Sequence, residues 1–399
     1  MPTAVLDFDL QQLPYEIKGL DGYERALILI RWGRRPINKI TLPVIDGRLD
    51  PVMLHAAIVN QLSERDLWDH FVRDFLDWDE LPALSLKPSL SSTIAICTRD
   101  RTEDLHRCLE AILRLPADRQ EIIVIDNCPS TIDTFNLVKA NKRIRYIHEE
   151  QPGLNIARNR ALREAGGEIV VFCDDDAVPD HDWLRAHLRN FADPLVMCAT
   201  GLTMPLELET EAQEIFERYS PFGRGFKRRI YDSSTLSPWE AGRAGAGANM
   251  SLRRSVLEQI GEFDEALDAG TLTCSGGDTE YFARILTLGF RIVYDPAALS
   301  WHRHRRTLDE LRRTYYGYGV GTYAAWTRSL LRDHELSVIK GPWAWFRHQQ
   351  FWMLVRSLLK RRSGLPIELM LAELRGCLAG PWAYFAARSR LPKRRLPDT

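Results

Sequence analysis

Val170-Val171-Phe172-Cys173-Asp174-Asp175-Asp176 is an apolar run that stops abruptly in three carboxylates. The apolar part reads as a strand buried on both faces, as in a parallel sheet covered by helices. The carboxyl end of such a strand is where open α/β sheets bind ligands. Three adjacent negative charges repel one another unless positive charge lies among them. A divalent cation with oxygen ligands supplies that charge, and Mg2+ usually shares such a site with phosphate groups. Residues i and i+2 of a strand share a side, so Asp174 and Asp176 converge while Asp175 points away. Taken alone, the triplet also fits an acidic turn capping the next helix.

The neighbours on the amino-terminal side form a repeating pattern. Residues 93–97, 121–125 and 144–147 read as short strands and 169–173 as a fourth. Helices are expected between them at 102–114, 131–140 and 154–165; in the first, Leu105, Leu109, Ile112 and Leu113 fall at helical spacing. Such alternation predicts a doubly wound, mostly parallel sheet with right-handed crossovers. The turn after the first strand, Thr98-Arg99-Asp100-Arg101-Thr102-Glu103-Asp104, contains no glycine. It is therefore neither a dinucleotide fingerprint nor a P-loop. Its polar and cationic side chains suit a nucleotide held by side-chain contacts, although Arg99 and Arg101 also fit solvated loop charge.

Beyond the triplet, a helix is expected from Trp183 and a strand over 196–203. Residues 205–240 cluster Arg224, Lys227, Arg228 and Arg229, a composition typical of loops over a site. Gly245-Ala246-Gly247-Ala248-Asn249 lets backbone approach a ligand closely, or forms a plain tight turn. Asp278 and Thr279 open a helix running to Leu288, where they could serve simply as caps. A last strand at 291–294 leads to Trp301-His302-Arg303-His304-Arg305-Arg306, which could clamp a metal and a diphosphate.

At 399 residues the chain has room for two or three domains at about 150 residues each. We expect an N-terminal accessory domain over 1–85 containing a strand at 26–30 and helices over 52–78, a linker near 82–92, a central domain over 92–306, and a helical, basic region over 307–399. In that last region, 307–331 reads as a long helix or pair interrupted at Gly317, Gly319 and Gly321. Residues 301–399 hold 19 Lys+Arg against 7 Asp+Glu, a balance of +12 within a net charge of −1, so the first 300 carry −13. The net charge gives no global argument for nucleic acid, and the asymmetry suggests an anionic ligand or surface as partner of the basic C-terminal region. Aromatic faces beside Lys360-Arg361-Arg362 and Lys393-Arg394-Arg395 suit peripheral contact with an anionic membrane, or a helical hairpin packed on the core. No stretch reaches the roughly 18 uncharged apolar residues of a span. The seven scattered cysteines include no C-x-x-C, and no signal peptide is evident, which points to a reduced, cytoplasmic protein.

Residues 93–306 resemble the family 2 glycosyltransferases of the GT-A fold. The resemblance is carried by Cys97-Thr98-Arg99-Asp100-Arg101, Val124-Ile125-Asp126-Asn127, Gly153-Leu154-Asn155-Ile156-Ala157-Arg158-Asn159, Phe172-Cys173-Asp174-Asp175-Asp176, Gly247-Ala248-Asn249-Met250, Gly277-Asp278-Thr279-Glu280 and Trp301-His302. It implies a GT-A-type (Rossmann-like) sheet and an inverting hexosyl transfer from a nucleoside-diphosphate-sugar donor to a glycan, lipid-linked or small-molecule acceptor. It further implies a Mg2+ or Mn2+ ion on Asp174, Asp176 and His302. Thr98, Arg99, Arg101, Asp126, Arg158, Asp174, Asp175 and Asn249 would line the donor site, and Asp278 would be the general base. The family commonly shows Glu-Asp there, whereas Gly277 precedes Asp278, so Glu280 competes for that role. Two alternatives stand beside this reading. One is a sugar nucleotidyltransferase, disfavoured by the glycine-free first turn. The other is a catalytically silent sugar-binding scaffold, disfavoured because Asp176 and Asp278 are both present.

Overall fold

The computed structural model describes residues 2–62, 84, 86–347, 351, 355 and 365–391. The helical expectation over 63–78 and the two basic clusters at 360–362 and 393–395 lie outside the described residues.

A small sheet opens the chain. β1 (Thr3–Asp9) pairs parallel with β2 (Arg25–Trp32), which pairs antiparallel with β3 (Arg35–Pro43). The helix Pro51–Gln61 begins behind the Asp50 cap and covers the sheet with Leu54 and Ile58. This unit has its own core around Ile28, Ile30, Ile40 and Leu54. Ion pairs dock it on the rest of the chain: Arg31 to Asp180 at 2.6 Å, Arg34 to Asp182 at 3.0 Å and Arg25 to Glu214 at 2.5 Å.

The central sheet is nine-stranded. Its strands are β4 (Ser92–Thr98), β5 (Glu121–Asn127), β6 (Arg145–Glu149), β7 (Ile169–Asp174), β8 (Ala177–Pro179), β9 (Val196–Pro205), β10 (Arg229–Tyr231), β11 (Asn249–Arg253) and β12 (Arg291–His302). The order is β10-β12-β9-β11-β7-β4-β5-β6, with β8 on the end of β12. β4, β5, β6 and β7 are parallel, as their alternation with helices requires. β11 inserts antiparallel between β7 and β9, and β12 returns parallel to β9. Six of the nine strands thus share one direction, the mostly parallel α/β arrangement expected from the alternation.

β7 shows why its sequence is uniformly apolar. Val170 and Phe172 enter one core, with helices Leu154–Glu164 and Gly277–Thr287. Ile169, Val171 and Cys173 enter the other, with helices Thr102–Leu113 and Trp183–Leu188. Both faces are buried, so nothing in the strand can be polar until it emerges at Asp174. β12 is longer than the 291–294 expected; it runs on to His302, carrying that side chain to the same end of the sheet as Asp174 and Asp176. The seven cysteines are free thiols.

The C-terminal region corrects one expectation. Gly317, Gly319 and Gly321 do not interrupt a helix: Leu308–Arg332 is continuous, started by a capping box between Thr307 and Glu310. The glycines serve close packing instead. A Cβ at Gly319 would sit 2.1 Å from the Glu373 carbonyl oxygen, and one at Gly376 would sit 2.1 Å from that of Tyr316. The helix Ile367–Arg390 therefore lies against Leu308–Arg332 with backbones nearly touching. We expect Gly376→Ala to cost about 3 kcal/mol, the upper range of overpacking. Gly289→Ala, at an open position with φ +81°, should cost about 1 kcal/mol or a little more from strain alone. Chemical denaturation of both variants checks the difference.

Candidate active site

A cavity of about 1420 Å³ opens at the carboxyl ends of β4 and β7. Each wall comes from a different part of the chain. The turn after β4 contributes Thr98, Arg99 and Arg101; the end of β7 contributes Asp174 and the turn beyond it Asp175 and Asp176; the helix Leu154–Glu164 contributes Arg158. Opposite them lie Gly247, Asp268 and Asp278, and the strand end supplies His302, His304 and Arg305.

The acidic triplet divides with Asp174 and Asp176 together, although β7 ends at Asp174 and the other two stand in the turn beyond it. One donor atom each from Asp174, Asp176 and His302 lies within 4.8 Å of the others. Asp175 turns instead toward the β4 side, accepting from Thr98 Oγ1 at 2.8 Å and from Arg101 Nη1 at 2.8 Å. Asp176 is bracketed by cations: His302 Nε2 is 3.0 Å from Oδ1, Arg101 Nη2 is 2.9 Å from Oδ2, and Arg305 lies 3.8 Å away. Burial would raise the Asp176 carboxyl, but these neighbours outweigh it and hold it well below the usual carboxylate range. Burial, together with the adjacent Asp176 charge, pushes Asp174 up. Burial pushes Asp175 up to about 7 against the pull of Arg101. Burial thus favours the neutral form of Asp174 and Asp175, while the neighbouring cations favour the charged form of Asp176. Two carboxylates and an imidazole form a donor set that Mg2+ or Mn2+ accepts, so the residues fit a hard divalent cation.

Arg158 is buried between three carboxylates. Its Nη1 donates to Asp268 Oδ2 at 2.7 Å and to Asn155 Oδ1 at 3.2 Å, and the charges of Asp174 and Asp278 also bear on it. Asp278 is held by backbone: Gly247 N–H donates to Oδ2 and Thr279 N–H to Oδ1, both at 2.7 Å. A Cβ at Gly247 would sit 2.8 Å from the Arg158 guanidinium and 3.0 Å from Asp278 Oδ2. The small-residue turn is thus a close approach within the protein, between the two charged walls.

Asp126 is paired in register with Thr98 and fully buried. Its Oδ2 accepts from the Tyr146 hydroxyl at 2.8 Å, while Oδ1 has no partner among the described residues. Burial raises its pKa. Arg99 sits on the rim, half exposed, 3.8 Å from Asp100.

Of the predicted site residues, Asp126, Asn249 and Glu280 do not line the cavity. Asn249 is fully buried in the sheet: its amide donates to the Leu202 and Ala298 carbonyls, and its Oδ1 meets Trp183 Nε1 and His187 Nε2. All its hydrogen-bonding capacity is spent cross-linking β9, β11, β12 and a helix, so it borders no sugar. Glu280 points away from the cavity into a buried ion network, 2.6 Å from Arg284 Nε and 2.9 Å from Arg328 Nη1. A carboxylate so paired is not available as a base; only Asp278 of the two faces the cavity. The cationic cluster after residue 220 also divides: Arg224 lines the cavity, its guanidinium on the Pro221 and Gly242 carbonyls, while Arg228 donates to Asn190.

Sequence reading missed Asp268 and the contribution of the helix Leu308–Arg332. Asp268 stands in no motif. Arg313, Tyr318 and Trp326 line the cavity from that helix, with Trp239 and Trp345 nearby. The aromatic density of 315–345 was the one available signal. Asn249→Ala should cost about 2–3 kcal/mol, because it strands several buried partners. Denaturant unfolding measures this; a loss below about 0.5 kcal/mol would contradict the structural assignment.

Residues 93–261 match the family model described as Glycosyl transferase family 2. A Pre-mycofactocin glycosyltransferase of Mycobacterium tuberculosis is 28% identical over 233 residues, 56% of this chain and 46% of that one. Glycosyltransferase AglE of Haloferax volcanii is 23% identical over 244 residues, 59% of this chain and 73% of that one. This chain thus spans about half the length of the mycobacterial relative. The mannosyltransferase PcManGT of Pyrobaculum calidifontis, solved with GDP-Man and Mn2+, superposes with a TM-score of 0.47 at 19% identity, over 85% of this chain and 84% of that one. Over residues 93–261 the chain is similar to glycosyl transferase family 2.

Proposed function

We propose that this protein is an inverting, divalent-metal-dependent glycosyltransferase, moving a sugar from a nucleoside diphosphate to an acceptor hydroxyl in glycan or glycoconjugate synthesis. One observation carries the reading: a cation-ready cluster (Asp174, Asp176, His302) and a separate backbone-held carboxylate, Asp278, face the same cavity.

Inverting transfer breaks the bond from the anomeric carbon to the diphosphate oxygen and forms one to the acceptor oxygen. A bound Mg2+ or Mn2+ would act as a Lewis acid on the departing diphosphate. Arg158 and Arg305 add fixed positive charge beside that position, and Arg101, already on Asp176, keeps the cluster ordered. Thr98 suits the nucleoside end; Asp126 is buried beside it in register and would accept a base N–H only from a nucleoside that reached past that wall. Asp278 takes the proton of the acceptor hydroxyl. Its two backbone N–H bonds aim the carboxylate and leave a lone pair on each oxygen. Tyr318, Trp326 and Trp239 give the acceptor side flat apolar faces of the kind on which sugar rings stack. A silent scaffold of the same fold would keep the cluster but have no use for the oriented Asp278. A nucleotidyltransferase would release pyrophosphate from a nucleoside triphosphate.

Asp176→Asn should abolish metal-dependent binding of nucleoside diphosphate, read by calorimetry with and without Mn2+; unchanged binding would contradict the assignment. Asp278→Asn should retain donor binding within a few-fold and lower turnover by about 10²–10⁴. Preserved turnover would remove Asp278 as the base.

The C-terminal region supports a second element of the proposal, peripheral contact with an anionic bilayer. Along the helix Ile367–Arg390, Leu371, Leu378, Trp382 and Phe385 form one exposed apolar stripe, with Leu378 80% and Trp382 77% exposed. The +12 balance of residues 301–399 matches such a surface. Among the described residues no helix is long and apolar enough to cross a membrane. Full-length protein should sediment with phosphatidylserine liposomes at low salt, and Leu378→Glu with Trp382→Glu should release it. Equal sedimentation of parent and variant would sink the stripe as the contact.

A further inference from the structure

The imidazole of His302 has two nitrogens, and only Nε2 meets the acidic cluster, 3.0 Å from Asp176 Oδ1. Its Nδ1 lies 3.3 Å from Nδ1 of His304. His304 Nε2 lies 3.3 Å from Glu217 Oε2, and Glu217 Oε1 lies 2.5 Å from the Lys39 ammonium. Four side chains therefore run in line from β3 of the N-terminal sheet to the cation cluster. Both imidazoles are buried. Phe216 packs on His304 with ring centroids 4.5 Å apart, and Phe222 on His302 at 5.1 Å, so the line is walled by apolar rings.

Proton bookkeeping along this line has one solution when His302 holds a cation. A metal-bound Nε2 gives up its lone pair, so the His302 proton sits on Nδ1. That N–H must donate, and the nitrogen facing it is His304 Nδ1, which must accept. His304 then carries its proton on Nε2 and donates to Glu217. Glu217 accepts as a carboxylate, and the Lys39 ammonium holds its other oxygen. Each link fixes the tautomer and the ring angle of the one before, which is how outer-shell partners tune a metal-ligating histidine.

We propose that Lys39, Glu217 and His304 are positioning residues for the cation site, so that the N-terminal sheet sets the metal affinity of the cavity. The inference rests on the reading of Asp174, Asp176 and His302 as that site. It also assigns work to the N-terminal unit, which carries no catalytic motif of its own.

Mn2+ binding to the full-length protein, without donor, tests it through the electron paramagnetic resonance signal of free Mn2+. Glu217→Met removes the acceptor and should weaken Mn2+ binding 10–100-fold, the span typical of outer-shell changes. Glu217→Gln keeps an acceptor oxygen for His304 and should restore most of that loss. Lys39→Met should weaken binding several-fold. Arg25→Ala breaks a different ion pair of the same docking surface and should leave Mn2+ affinity unchanged. Thermal melts of each variant separate lost folding from lost affinity. Parent-like Mn2+ affinity in folded Glu217→Met and Lys39→Met would overturn the proposal, as would an equal loss in Arg25→Ala. If Asp176→Asn also bound Mn2+ like the parent, the cation-site reading itself would fail; loss in Asp176→Asn alone would sink only the positioning line.

Discussion

Three carboxylates packed at the tip of a buried strand are the constraint from which the rest of this molecule follows. Both faces of β7 are committed to cores, so the acidic tip cannot retreat into solvent. Positive charge has to come to it. Arg101 arrives from the turn after β4, His302 and Arg305 from the end of β12, and Arg158 from the helix behind. Even so, burial still raises Asp174 and Asp175. A divalent cation held by Asp174, Asp176 and His302 would favour the ionised form of Asp174 against that burial.

The same cavity keeps its second acidic function apart. Asp278 sits on the helix Gly277–Thr287, and Arg158, which pairs with Asp268, feels the charges of both Asp278 and Asp174. Two roles, charge stabilisation and proton removal, need carboxylates in different surroundings. Here one group is wrapped in cations and the other in backbone N–H donors. The ion network of Glu280, Arg284 and Arg328 anchors that helix to Leu308–Arg332. The C-terminal helices thereby stiffen the helix of Asp278, the proposed base, as well as walling one side of the cavity.

Much of this was legible because the fold repeats simple rules. Alternating strands and helices announced the parallel half of the sheet; Asp174 does fall with Asp176 and Asp175 away from them, but through the turn that follows β7 and not through strand alternation. What sequence could not convey was direction. Nothing in the Gly247-to-Asn249 stretch distinguishes an amide facing a ligand from one cross-linking β9 and β12, and Asn249 proved to be the second. Two carboxylates two residues apart at a helix start, Asp278 and Glu280, differ by some 200° around the axis; only tertiary packing told which faced the cavity. The glycines of 317–321 looked like breaks because local propensity disfavours them, yet close helix packing demanded them.

The N-terminal sheet was opaque in sequence for a related reason: its link to the site, through Lys39 and Glu217, spans 178 residues of chain and leaves no local motif. Its meaning depends entirely on whether a cation occupies the tip of β7. Crystals grown with Mn2+ and a nucleoside diphosphate, measured at the manganese absorption edge, settle that most directly. The account predicts one strong anomalous peak within coordination distance of Asp174, Asp176 and His302, with diphosphate oxygens on its cavity side. A diphosphate bound with that position empty, or a peak on a different set of side chains, would contradict it.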